Sequence, residues 1–275
     1  IIGDCLENVL FHFVSNKIKT FTKGPKQSSP DFYNNKKQYE WELKGFKDKP
    51  GFDVSYEKLK TTSAASASLK KQEGNYFDNY FNYSLDYDLR NKRFRPDEGF
   101  RNIFRQELPL VSDNYEIVNS FETTRYQKIS ETVTKVSFYG KAVNTLSNED
   151  VRISKRLFMP SSKLRGFEAG KIGPIDNNDY IGGNYISALN FSATLPTLLP
   201  SFQNMDFSIF VDAANVWGVD YDSAIDDGNK IRSSTGVAMD ILTPIGPLNF
   251  SLSQPITKSS TDKTEGFRFN LGTTF

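Results

Sequence analysis

Residues 163–174 read Lys163-Leu164-Arg165-Gly166-Phe167-Glu168-Ala169-Gly170-Lys171-Ile172-Gly173-Pro174, and after a polar run the chain continues Tyr180-Ile181-Gly182-Gly183-Asn184. Five glycines within residues 163–183, with Pro160 and Pro174, predict irregular backbone with positive φ angles and close chain approaches. Arg165 and Phe167 stand inside this stretch as the two side chains able to anchor it. A long ordered loop in a compact domain carries function more often than a plain connection does. The five segments that follow, 184–195, 205–217, 231–242, 248–256 and 265–275, read as consecutive antiparallel strands, the last ending on Phe275.

Upstream of the loop the same period of two runs back to Gly51. Phe52, Val54 and Tyr56 alternate with polar neighbours, and residues 61–71 form a Ser/Ala-rich loop. In 74–88, Phe77, Phe81, Tyr83, Leu85 and Tyr87 make an aromatic stripe, with Asp and Asn largely on the other parity. That run is longer than a soluble-sandwich strand of about 5–6 residues and fits a membrane-barrel strand of about 9–11. Strands are expected at 101–110, 115–129 and 132–146, with Pro109 and Ser112-Asp113-Asn114 as a turn signal. This gives about ten strands from 51 to 275, with no helix between them. Connections are expected to be tight at 242–247 and long and acidic at 218–230, the asymmetry of an outer-membrane barrel.

Residues 1–50 differ in kind. Apolar residues recur at three- and four-residue spacing from Ile1 to Ile18, a short amphipathic helical pattern, and 22–50 is lysine-rich and broken by Pro25, Pro30 and Pro50. The segment is read as a poorly ordered or partly helical N-terminal appendage. Ile1-Ile2-Gly3-Asp4-Cys5 lacks a secretory signal's charged start and apolar stretch, so an exported chain of this kind would be a fragment.

Composition narrows the function classes. The 34 basic and 33 acidic residues leave a net charge of +1, which excludes a polycationic nucleic-acid binder. Hydrophobic residues are only 37% and aromatics 14%, with 23 Phe and 13 Tyr; a barrel needs only alternate residues apolar, so the mean hydropathy of −0.51 is compatible with a β-type membrane protein. Helical spans are excluded, since no run of about 18 apolar residues occurs. Cys5 and His12 are the only residues of their types, which rules out an internal disulfide, a Cys/His zinc site and a His-dependent triad. No nucleophile–base pair, phosphate loop or metal box is present. Asp220, Asp222, Asp226 and Asp227 lack the spacing of a calcium loop and read as a solvated connection. No enzyme and no cofactor is expected.

Leu164-Arg165-Gly166-Phe167 with Gly173-Pro174 and Gly182-Gly183-Asn184 resembles the conserved loop of the Omp85 superfamily. Phe210-Val211-Asp212-Ala213-Ala214-Asn215-Val216-Trp217, Ile231-Arg232-Ser233-Ser234-Thr235-Gly236, Pro244-Ile245-Gly246-Pro247-Leu248, Ser253-Gln254-Pro255 and Phe267-Arg268-Phe269-Asn270-Leu271-Gly272-Thr273-Thr274-Phe275 match in family order. The resemblance covers 74–275 well, 51–73 weakly and 1–50 not at all. It implies an all-β, antiparallel transmembrane β-barrel, here partial: about the last ten strands of a sixteen-strand barrel, without upstream POTRA domains. Closure ties barrel size to strand number, so the sheet is expected to remain open and curved.

The implied function is folding and insertion of β-barrel proteins into the outer membrane of a Gram-negative-type bacterium, as in the superfamily's BamA branch. Implied partners are outer-membrane lipid, unfolded β-barrel substrates and assembly-machinery lipoproteins bound through the missing upstream domains. A TamA-like or two-partner secretion pore and a porin-like channel are the alternatives, with an upstream lipase domain a further one.

Within the loop, the resemblance implies that Arg165 enters the lumen and pairs with Asp212, which shares a strand face with Ser208 and Phe210 opposite Phe207, Ile209 and Val211. A lumenal guanidinium needs a carboxylate, and its planar fork suits bidentate pairing. The family's second acid falls at Asn190, which is not acidic. Gly166 gives tight backbone and Phe167 plugs against the wall. Phe267, Phe269, Leu271, Gly272 and Phe275 resemble a C-terminal β-signal read by strand addition; the same alternation suits any lipid-facing strand. Trp217 and Tyr76, Tyr80, Tyr83 and Tyr87 are candidates for interface girdles.

Overall fold

A computed structural model describes residues 46–63, 65–196, 204–243 and 246–271. The expectations for residues 1–45 lie outside the described residues. Ten strands form one antiparallel sheet in which each pairs with the next of the ten along the chain. They are β1 (Phe46–Leu59), β2 (Gly74–Asp88), β3 (Gly99–Ser112), β4 (Glu116–Ile129) and β5 (Thr132–Thr145), then β8 (Tyr185–Thr194), β9 (Met205–Trp217), β10 (Arg232–Thr243), β11 (Gly246–Thr257) and β12 (Phe267–Leu271). β6 (Ile175–Asp176) and β7 (Asp179–Tyr180) are a separate miniature hairpin within the β5–β8 connection. The large sheet is open, with β1 and β12 at its two edges.

The two faces of the sheet invert the pattern of a soluble protein. On β9, Ser208, Phe210, Asp212 and Ala214 are buried, whereas Ile209 and Val211 remain 47% and 46% exposed. On β2, Asp78 and Tyr80 are buried while Phe77 is exposed; on β11 and β12, Asn249, Ser251 and Arg268 are buried while Leu252, Phe267, Phe269 and Leu271 are exposed. Outward aromatics meet across strands, as in Phe52–Phe81 at 5.3 Å and Phe250–Phe269 at 5.0 Å between ring centroids. Polar residues inside and large apolar residues outside over ten strands suit a sheet whose outer face meets lipid.

Some local expectations need correction. The first strand begins at Phe46, not Gly51, and Pro50 is accommodated because β1 is an edge strand. Pro109 is not a turn residue. It lies within β3 opposite Tyr80, where the register slips so that Asn79 faces Val111, and a bulge absorbs the missing N–H. Pro255 sits at a comparable slip between β10 and β11. Residues 61–73 are not helix-free: α1 (Ala67–Lys70) is a single turn whose Ser66 Oγ accepts from the Leu69 N–H at 3.2 Å, with Leu69 buried. A 3-10 turn follows at Ile153–Lys155. Tyr76 and Tyr80 fall on the inner parity of β2, Tyr80 being buried, so neither belongs to a girdle. Trp217 stacks on Tyr185 at 5.7 Å, at the end of β9.

The expected asymmetry of the connections holds only in part. The short 130–131 and 244–245 share one end of the sheet with the longer 89–98 and 195–204, whereas 146–184 and 218–231 lie at the other end together with the short 113–115. The 146–184 segment packs on the concave face. Its Val151, Leu157, Met159, Leu164, Phe167 and Ile172 form one buried cluster with Val118 of β4, Val143 of β5, Ile186 and Ala188 of β8, and Ala214 and Val216 of β9. Among the described residues, this buried apolar cluster thus lies between the loop and the inner face of the sheet.

Candidate functional site

Three groups of polar contacts seat the loop on the sheet, two of them buried and the third partly exposed. At the first, Arg165 donates from Nε and Nη2 to Oδ2 and Oδ1 of Asp212, both at 2.7 Å, and its backbone N–H donates to Oδ2 at 3.1 Å. Asp212 is fully buried and Arg165 nearly so. The Arg165 guanidinium lies over the Phe210 ring, 3.4 Å from its centroid, and the Arg165 carbonyl accepts from Ser234 Oγ of β10 at 2.6 Å. Two inward positions of β9 and one of β10 therefore receive one residue: carboxylate for charge, ring for the flat face, hydroxyl for the backbone.

Asn190 belongs to this site in a way its sequence position did not indicate. Its Nδ2 donates both to Asp212 Oδ1 at 2.9 Å and to the Lys163 carbonyl at 2.8 Å. An amide thus ties the loop backbone to the carboxylate that binds Arg165, where a second carboxylate would offer only acceptors. Lys163 reaches Glu122 of β4, Nζ to Oε1 at 2.6 Å.

The glycines follow from this packing. Gly166 has φ +86°, and a Cβ there would come 3.1 Å from the Ser234 Cβ and 3.3 Å from the Ser253 Cβ. Gly173 has φ +104°, and a Cβ would meet Val216 Cγ1 at 2.9 Å. Both need the left-handed backbone and the missing side chain together. Phe167 is buried in the core cluster and makes an isolated antiparallel bridge with Thr264, while the Pro174 carbonyl accepts from the Ile181 N–H at 3.2 Å. Leu164 is buried beside them. Asn177 and Asn178 take φ of 48° and 73° in the β6–β7 turn, so the polar run of the loop is a tight hairpin.

At the second site, Arg152 Nη2 donates to Asp78 Oδ2 at 2.6 Å and to Glu116 Oε2 at 3.1 Å, and the Arg152 N–H donates to Glu116 Oε1 at 2.8 Å. All three side chains are at most 2% exposed, and the guanidinium lies 4.5 Å from the Tyr76 centroid. Lys155 Nζ comes within 3.5 Å of Asp78. The sequence reading missed this cluster, because its members lie 36 and 74 positions from Arg152. The signal available was Asp78 and Glu116 on inward strand positions, each requiring a cation somewhere.

At the third site, beyond the strand ends, Asp220 accepts from Arg156 Nη1 at 2.9 Å, Asn184 Nδ2 at 2.8 Å and the Val151 N–H at 3.0 Å. Asp222 accepts from the Ala224 N–H, Asp226 pairs with Lys230, and Asp227 accepts from the Val219 N–H. Burial pushes the Asp220 carboxyl up, but the Val151 N–H, the Asn184 amide and the Arg156 guanidinium outweigh it and hold it below the ordinary 3.8. A depressed folded value means that the stabilisation is present above 3.8 and is lost as pH falls through the lower folded value. Acidification from about pH 5 to about pH 2 should therefore expose 146–156 to an acid protease. Asp220→Asn should expose it already at neutral pH, with a loss of roughly 1–2 kcal/mol, and should flatten the acid response; an unchanged cleavage profile would remove Asp220 from loop seating.

Phe267, Phe269 and Leu271 point outward from β12. Gly272 and Phe275 lie outside the described residues. Residue 268, between two of the expected signal residues, faces inward and is buried.

Residues 14–275 match the family model described as the Omp85 superfamily domain, so the match extends well N-terminal of residue 51, where the resemblance was expected to end. The outer membrane protein assembly factor BamA of Neorickettsia risticii is 22% identical over 232 residues, 82% of this chain and 31% of that protein. That of Neisseria meningitidis is 33% identical over 141 residues, 41% of this chain and 17% of that protein. The human sorting and assembly machinery component 50 homolog is 28% identical over 139 residues, 48% of this chain and 29% of that protein. The crystal structure of BamA from Haemophilus ducreyi lacking POTRA domains 1-3 shares the fold, with TM-score 0.69 and 22% identity over 82% of this chain and 51% of that one. The chain spans less than a third of these sequence relatives and about half of the solved chain.

Proposed function

The chain belongs to the Omp85 superfamily of outer-membrane proteins, and we propose that, as part of its complete protein, it folds and inserts β-barrel proteins into the outer membrane. The observation that carries the reading is the combination of an apolar outward face with a buried loop seated by Arg165 on Asp212. A passive channel keeps its lumen open, whereas here the loop covers the inner faces of β4, β5, β8 and β9 and is fixed to β9 and β10 by Arg165. The relatives named as assembly factors and as a sorting and assembly component support the same reading.

The mechanism that follows is non-covalent. An open edge offers unpaired N–H and C=O groups to an incoming strand, and alternate side chains set which strands fit. β12 supplies one side of such a seam, and a strand outside this chain supplies the other. The outward residues of β12, Phe267, Phe269 and Leu271, occupy the lipid face next to it. Assembly lipoproteins would act through upstream domains.

The test uses the complete protein in liposomes supplied with a urea-denatured β-barrel substrate. Faster appearance of the folded, heat-modifiable substrate than in empty liposomes is the expected result. Ion conductance without any acceleration of substrate folding would overturn the reading in favour of a passive pore.

A further inference from the structure

Arg268 stands on the inner face of β12, opposite Ser251 of β11, and is buried. Its guanidinium spends most of its donors on the loop backbone rather than on another strand. Nη1 donates to the carbonyls of Ser161 at 2.6 Å and Leu164 at 3.4 Å, and Nη2 donates to the carbonyl of Phe167. Nε and Nη2 also bind Glu265 Oε2, at 2.9 and 2.7 Å, which balances the charge. Three carbonyls at positions i, i+3 and i+6 of a tight turn thus converge on the planar fork of the last strand, a geometry that an ammonium could not reproduce.

Backbone pairing runs alongside. Glu265 N–H donates to the Gly166 carbonyl at 3.1 Å, Glu168 N–H to the Lys263 carbonyl at 3.0 Å, and Lys263 N–H to the Lys171 carbonyl at 3.1 Å. Residues 166–171 are therefore laid against the chain that enters β12, and Leu164 and Phe167 on either side of Arg165 are held by Arg268 of β12 as Arg165 itself is held by Asp212 of β9.

We propose that Arg268 is a positioning residue that couples the seated loop to the last strand, so that undocking of the loop and release of β12 from the sheet edge are one event. Among the described residues β12 pairs with β11 alone, so the loop contacts add directly to what fixes it. Release of the Asp212 clasp withdraws the carbonyls that Arg268 binds; loss of β12 withdraws the guanidinium from the loop. Coupling of this kind is reciprocal by linkage. On the assembly reading, on which only this consequence rests, the edge offered to a substrate strand becomes free when the loop leaves its seat.

The test is hydrogen exchange on the complete protein in lipid nanodiscs, without substrate, so that a protein inactive in assembly still reports the coupling. Arg165→Ala should raise exchange at residues 161–168 and, about tenfold, at 267–271, with β3 and β4 unchanged. Arg268→Ala should raise exchange at 161–168 by a similar factor; should that variant fail to fold, Arg268→Lys, which keeps the charge without the fork, should show a smaller rise at the same residues. Faster exchange at 161–168 in Arg165→Ala with 267–271 at the wild-type rate would overturn the coupling, as would wild-type exchange at 161–168 in both Arg268 variants. A uniform rise over the whole sheet would also overturn it, since that is loss of stability without specific linkage.

Discussion

Arg165→Glu in the complete protein should unseat the loop and cost about 3–5 kcal/mol, the range for breaking a buried ion pair. The new carboxylate would face Asp212, which is fully buried and already bound by Asn190 and by the N–H of residue 165. Two carboxylates in that space repel each other with no cation between them. The loss is a large part of the 5–15 kcal/mol that a folded domain commonly has. It should appear as a lower urea midpoint for the heat-modifiable form and as protease cleavage within 161–171.

Asp212→Arg in the same chain should recover part of the loss but not all of it. The reversed pair restores the charges, yet an arginine at 212 cannot accept the backbone N–H of residue 165 or the Asn190 amide. No recovery at all would mean that the Arg165–Asp212 pair does not govern seating.

The second large effect is expected at Arg152. Arg152→Met keeps much of the side-chain volume but leaves Asp78 and Glu116 buried with only Lys155, 3.5 Å from Asp78, as a compensating charge. A loss of about 3 kcal/mol is expected, measured by urea titration of the lipid-embedded protein. Adding Glu116→Gln should restore part of it, because a neutral amide costs less to bury than an unpaired carboxylate and still accepts the Arg152 backbone N–H, now made at 2.8 Å. Arg152 and Arg165 fix the same loop, so Arg152→Met with Arg165→Glu should cost less than the sum of the two. A loop already displaced by one substitution has little left to lose to the other. Full additivity would mean that the two clusters hold independent structures.

Strand period was legible in the residues themselves. Side chains alternate across a strand whatever lies around it, so Phe77 to Tyr87 on β2 and Phe267 to Leu271 on β12 declared their outward parity. For the same reason Asp212 declared itself inward. The density of glycine in 163–183 likewise announced irregular backbone, and Gly166 and Gly173 do take positive φ. What period cannot distinguish is a proline that ends a strand from one absorbed by a bulge, and Pro109 was misread as a turn because the slip opposite Asn79 and Tyr80 is a property of two strands together. Tyr76 and Tyr80 could have been excluded from a girdle on parity alone, since they share the face of Asp78.

The remainder belongs to the tertiary structure. Arg165 and Asp212 were connected by resemblance, but the ring of Phe210, the hydroxyl of Ser234 and the bridging amide of Asn190 emerge only when β8, β9 and β10 lie side by side under the loop. Arg152 finds Asp78 and Glu116, and Arg268 finds the carbonyls of Ser161, Leu164 and Phe167, across separations that no local pattern records. Which residues face inward and where the chain must bend could be read from the residues in order, because both follow from backbone sterics and the pleat of each strand. Which inward charge meets which was decided only by folding, because a buried guanidinium is satisfied by whatever acceptors the neighbouring strands and the docked loop bring within reach.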